Sequence, residues 1–100
     1  MSNPKQTVVV VDDNATVRAL FKRSTETLAI DLMTYGSAGE AMEYLKENKP
    51  NLLFLDIIMP DKDGLTFLQE LRRLPLHRDT SVIMITSKDY AQDRTVANEL

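Results

Sequence analysis

The sequence predicts an α/β domain of the doubly wound type, a parallel sheet with helices on both faces. Three observations lead there. Apolar runs of strand length recur without alternation, above all the four consecutive valines Val8, Val9, Val10 and Val11. Such runs are buried on both faces, as in a parallel sheet covered by helices. Stretches with helical spacing separate the runs, giving the order β-α-β-α-β-α-β-α with crossover connections. Each of three runs also ends in polar groups: Asp12 and Asp13 after the valines, Asp56 after Leu52, Leu53, Phe54 and Leu55, and Thr86 and Ser87 after Val82, Ile83, Met84 and Ile85. In an open parallel sheet those carboxyl ends share one rim, where ligands bind.

The first strand is expected over residues 7–11. A helix follows over residues 15–28, with Val17, Leu20, Phe21, Ser24 and Leu28 at helical spacing. Residues 31–35 read as a short second strand. Ser37 and Glu40 form a capping box in sequence, with Ala38, Ala41, Met42 and Leu45 as the apolar stripe of the next helix. Pro50 is expected to stop that helix before the strand at residues 51–56. Residues 64–74 read as a third helix, buried through Phe67, Leu68, Leu71 and Leu74 and ended by Pro75. A strand at residues 82–86 and a weakly amphipathic helix at residues 89–100 close the pattern.

One hundred residues make one domain, residues 1–100, large enough to bury about two-thirds of its unfolded surface. Apolar residues at 43% and charged residues at 27% are an ordinary balance for a soluble chain. A net charge of −3 with no basic block argues against nucleic acid as a direct partner. No cysteine is present, which excludes disulfide and zinc-thiolate chemistry. No run reaches transmembrane length and the first residues lack a signal-peptide core, so no membrane partner and a cytoplasmic location are expected.

The acidic pair has two readings. A strand-to-helix turn often uses Asx residues as helix caps, but one cap suffices and Asn14 is available for it. Two adjacent carboxylates at a helix start repel one another unless a cation lies between them. Asp56 is followed by a loop that Pro60 and Gly64 constrain, a path able to turn the Ile58 carbonyl back toward a cation. Asp61 and Asp63 read as solvated turn residues rather than ligands. His77 and Lys88 read as surface residues. The Thr86 hydroxyl is placed to bond a phosphoryl oxygen. Three carboxylates and a hydroxyl at one rim suggest a divalent-metal site that handles phosphate.

Asp12 and Asp13, Asp56 with the Met59, Pro60 and Gly64 loop behind it, and Thr86 with Ser87 together make the chain resemble the receiver domain of bacterial two-component response regulators. The resemblance covers essentially the whole chain in order and spacing. It implies a flavodoxin-like fold with strand order 2-1-3-4-5. It implies Asp56 as phosphoacceptor, Mg²⁺ held by Asp13, Asp12, Asp56 and the main-chain carbonyl of Ile58, and Thr86 as a switch hydroxyl. It implies a sensor histidine kinase or phosphotransfer protein as donor and a downstream protein as target. The family's lysine and aromatic switch residue belong to a fifth strand, which would fall beyond Leu100; Lys88 does not match that lysine. Ser87 stands where a small residue such as alanine is usual.

Two rivals come from other classes. One is an interaction module with the same fold that does not switch. The other is a haloacid dehalogenase-type phosphatase, since Asp12, Asn14 and Thr16 weakly match that family's nucleophile motif, with the covalent phosphate then on Asp12. With no fifth strand in the chain, strand 82–86 would form an apolar sheet edge. Such an edge seeks a partner, so a homodimer through it, or a swapped segment, is expected.

Overall fold

The computed structural model describes residues 5–85. Its elements are β1 (Gln6–Val11), α1 (Ala15–Thr25), β2 (Ile30–Tyr35), α2 (Ala38–Leu45), β3 (Leu52–Asp56), α3 (Gly64–Arg73), a 3-10 turn (Pro75–His77) and β4 (Val82–Ile85). The strands form one parallel sheet in the order β2-β1-β3-β4, the flavodoxin-like order. Thr86, Ser87, Lys88 and the helix expected over residues 89–100 lie outside the described residues.

Side chains alternate along each strand, and the two faces meet different helices. Val9, Val11, Leu53 and Leu55 pack with Ala38, Ala41 and Leu45 of α2 and with Phe67 and Leu71 of α3 in the main core. Met33, Tyr35, Val82 and Met84 border that core. The other face meets α1, where Phe21 lies 4.9 Å, ring centre to ring centre, from Phe54. Val8 to Val11 are all buried, as unbroken apolar patterning requires.

The α1 stripe differs from the one apolar spacing predicts. Leu20 is 55% exposed, and Leu28 lies beyond the helix and is also exposed. The half-buried positions of this segment are Asn14, Val17, Arg18, Phe21 and Thr25, which recur at helical spacing. Helix α1 also ends three residues early. The Thr25 hydroxyl donates to the Phe21 carbonyl at 2.9 Å and the Leu28 amide closes a turn onto the Thr25 carbonyl at 2.9 Å, which takes the chain out of the helix.

Caps explain the other boundaries. Asn14 accepts from the amides of Thr16 and Val17, as expected of the one Asx that caps α1. Ser37 accepts from the Glu40 amide. Asp63, read from sequence as a solvated turn residue, is exposed but caps α3 by accepting from the amide and hydroxyl of Thr66. The Thr66 amide first, then the hydroxyl, holds the Asp63 carboxyl below the usual value for an aspartate.

Pro50 does not stop α2, which ends five residues before it, at Leu45. Its last carbonyls are met by the Lys46 and Glu47 amides and by side chains, because helix-end carbonyls need partners. Asn48 Nδ2 donates to the Tyr44 carbonyl at 2.8 Å. The Leu45 carbonyl is met by His77, and this overturns the surface reading of His77. His77 is wholly buried. A carbonyl only accepts, so Nε2 carries the hydrogen, and in that tautomer Nδ1 accepts from the Thr80 hydroxyl at 2.8 Å. Arg72 donates to the His77 carbonyl at 2.8 Å. The ring thus joins the end of α2 to the segment that leads from α3 into β4.

His77→Ala should destabilise the domain by about 2–4 kcal/mol, from a cavity and two stranded polar groups. Denaturant unfolding should show a lower midpoint at unchanged slope. A shift within about 0.5 kcal/mol would be surface behaviour and would contradict the buried staple.

Candidate metal centre

The site is built by strand register. Val11 pairs with Leu55 across the β1–β3 ladder, so Asp12, the first residue past β1, and Asp56, the last residue of β3 and the partner of Ile85, stand at the same level of the rim. The ladders run on past the strands and fix both positions. The Asp12 amide donates to the Tyr35 carbonyl at 3.0 Å, and the Ile57 amide to the Ile85 carbonyl at 2.9 Å. Asp12 and Asp56 are wholly buried and Asp13 is half-buried.

One carboxylate oxygen from each of Asp12, Asp13 and Asp56 lies within 4.8 Å of the other two. Three such groups repel strongly unless positive charge is shared among them, and buried carboxylates need partners. Part of that need is met locally. Asp12 Oδ1 accepts from the Asn14 amide at 2.8 Å, and Asp56 Oδ1 accepts from the Ile58 amide at 3.3 Å. The donor set is all oxygen, which suits a hard divalent cation rather than a soft one. The acids singled out by sequence are therefore brought together. Asp61 and Asp63 are not in the cluster.

The loop behind Asp56 is held at several points. Met59 is buried in the core below the rim. Asp61 Oδ2 accepts from the Gly39 amide at 3.3 Å, at the start of α2 where the helix favours negative charge. Lys62 pairs with Glu70 of α3. The Gly64 amide donates to the Ile57 carbonyl at 2.7 Å, closing the loop. A Cβ at Gly64 would stand 2.4 Å from the Asp56 carbonyl oxygen and 2.9 Å from the Ile57 Cα, a backbone approach only glycine allows. The Ile58 side chain points outward and is exposed. Sequence reasoning missed two neighbours of the site, Arg18 and Gly36, because neither belongs to an apolar stripe or an acidic motif.

Fold and site together define a flavodoxin-like domain with an acidic centre at its carboxyl rim. The chain belongs to the response regulator receiver domain family, which matches residues 8–100. It is 40% identical over 81 residues to the cyclic di-GMP phosphodiesterase response regulator RpfG of Xanthomonas campestris, covering 79% of this chain and 21% of that protein. It is 31% identical over 100 residues to the probable transcriptional regulator ycf27 of Porphyra purpurea, covering 100% of this chain and 40% of that one. The chain thus spans two-fifths or less of these relatives. Among solved structures it is similar to the N-terminal domain of a response regulator receiver protein from Methanoculleus marisnigri, with a TM-score of 0.75 and 33% identity over 93% of this chain and 74% of that one. Receiver domains are the signalling domains of two-component systems and work with sensor kinases and downstream effectors. The described residues contain no helix long and apolar enough to cross a membrane.

Gly64→Ala should destabilise the domain by more than about 1 kcal/mol, since the new methyl meets backbone rather than a yielding side chain. Thermal unfolding with and without a divalent cation checks it. An unchanged melting temperature would show that the Asp56 peptide can move aside.

Proposed function

We propose that this domain accepts a phosphoryl group on Asp56 and thereby switches a protein-interaction surface. The observation that carries the reading is the cluster of three carboxylates, two of them wholly buried, at the ends of adjacent strands. Mg²⁺ fits this all-oxygen donor set, with Asp12, Asp13, Asp56 and the main-chain carbonyl of Ile58 as ligands. When bound, the ion offsets the charge that builds up where a carboxylate meets a phosphoryl group.

The chain's own part in the transfer is positioning and attack. A carboxylate oxygen of Asp56 forms the new O–P bond. The donor's N–P bond, in the phosphohistidine of a sensor histidine kinase or a phosphotransfer protein, breaks with its electron pair leaving on the imidazole. The Ile58 amide and the loop closed by Gly64 hold Asp56 for this step. The product is an acyl phosphate. Its added charge and acceptor oxygens draw in the Thr86 hydroxyl and bias the packing beside β4, which a downstream target protein reads. The work is signalling in a cytoplasmic setting, with at most slow self-phosphorylation and self-dephosphorylation as catalysis. The phosphatase alternative places the phosphate on Asp12; the family match and the engagement of Asn14 as the α1 cap favour Asp56.

Calorimetric titration of Mg²⁺ against wild type and Asp13→Ala, paired with acetyl phosphate labelling of wild type and Asp56→Asn, tests the reading. Asp13→Ala should lose most of the Mg²⁺ affinity while staying as stable or slightly more so, since repulsion is relieved. Asp56→Asn should carry no hydroxylamine-sensitive label. Equal Mg²⁺ affinities, or a retained labile label, would overturn it.

Self-association belongs to the same proposal. β4 is an outer strand of the described sheet, and Ile83 on it is 46% exposed. Pairing through this edge or through a swapped segment gives a closed dimer. Sedimentation of the 100-residue chain at micromolar concentration should show dimer or larger species. A cooperative monomer would refute the pairing.

A further inference from the structure

A charged side chain lies on the inner stripe of α1. Arg18 shares helical spacing with Asn14, Val17, Phe21 and Thr25, all half-buried. Arginine on a sheet-facing stripe needs a specific partner, because its guanidinium is strongly polar. Its Nη1 donates to the carbonyl oxygen of Asp12 at 2.8 Å. The guanidinium also fills the space beside Gly36, in the turn between β2 and α2. A Cβ there would stand 3.3 Å from Nη1 and 3.5 Å from Cζ.

Asp12 is thereby held on three sides. Its amide is bonded to the Tyr35 carbonyl at 3.0 Å, its side chain accepts from the Asn14 amide at 2.8 Å, and its carbonyl accepts from Arg18. The Asp12 carbonyl belongs to the peptide unit that joins Asp12 to Asp13. Fixing that unit fixes the direction in which both carboxylates leave the backbone. We infer that Arg18 is a positioning residue for the metal centre, orienting the Asp12–Asp13 peptide so that the two carboxylates converge with Asp56, and that Gly36 is glycine to leave room for its guanidinium. The inference rests on the proposed Mg²⁺ site. Groups that orient metal ligands from behind commonly change affinity by about tenfold or more when removed.

Charge and position predict opposite results, which makes the inference testable. Arg18 is a cation near an acidic site, so neutralising it should on charge alone tighten a dication. Loss of positioning should loosen it. Mg²⁺ affinity would be measured by calorimetry, well below the melting temperature of each variant, on wild type, Arg18→Met, Arg18→Lys and Gly36→Val. Arg18→Met should weaken Mg²⁺ by roughly tenfold. Arg18→Lys, which keeps the charge and can still reach a carbonyl, should recover part of that loss. Gly36→Val keeps the charge but displaces the guanidinium, and should also weaken binding; it carries the test if Arg18→Met does not fold. Unchanged or tighter binding in the folded Arg18→Met, or in Gly36→Val in its place, overturns the inference while leaving the metal site standing. Wild type that binds no Mg²⁺ overturns the metal site itself, and this inference with it. A purely structural role would lower the stability of Arg18→Met without moving the affinity of the folded protein.

Discussion

Holding three carboxylates within 4.8 Å of one another is the constraint on which the rest of this molecule depends. Like charges at that range push apart, and burial removes the water that would screen them. The fold answers with backbone. Asp12 continues β1 and Asp56 is the last paired residue of β3, so sheet hydrogen bonds, not side-chain packing, set their separation. A parallel sheet suits this task because adjacent strands deliver their ends to the same edge.

The loops around the rim are then secured by contacts of several kinds. Met59 anchors the loop after Asp56 in the core, the Gly64 amide closes it, and Asp61 ties it to the start of α2. At the opposite end of the domain, the His77 ring plays a comparable part. It satisfies the last carbonyl of α2 and, through Thr80, holds the segment that enters β4. Wholly buried and bonded through both ring nitrogens, it is a structural joint.

The architecture was legible because its signals are local and repetitive. Four adjacent valines require burial on both sides, and Asn14 and Ser37 stand where caps belong. The acidic cluster was legible for the same reason, since each acid sits at the end of an apolar run. Boundaries and surfaces were less so. Leu20 shares the apolar character of Phe21, but only the placement of α1 on the sheet decides which of them turns inward. The Thr25 hydroxyl ends α1 and the Asn48 side chain finishes α2; each does so through a contact that spacing alone does not display.

Composition and order alone determined the class of fold, the strand ends that matter and the acids that stand on them. These depend on periodicity and on neighbours in the chain, which are written in the sequence. Tertiary structure decided what depends on partners distant in the chain. His77 is buried because a carbonyl 32 positions away needs a donor. Gly64 must lack a side chain because the backbone of β3 passes against it. Arg18 turns inward because the end of β1 offers a carbonyl where the helix passes the second strand's turn. Sequence spacing has no measure of such approaches, because they arise only when the strands are laid side by side.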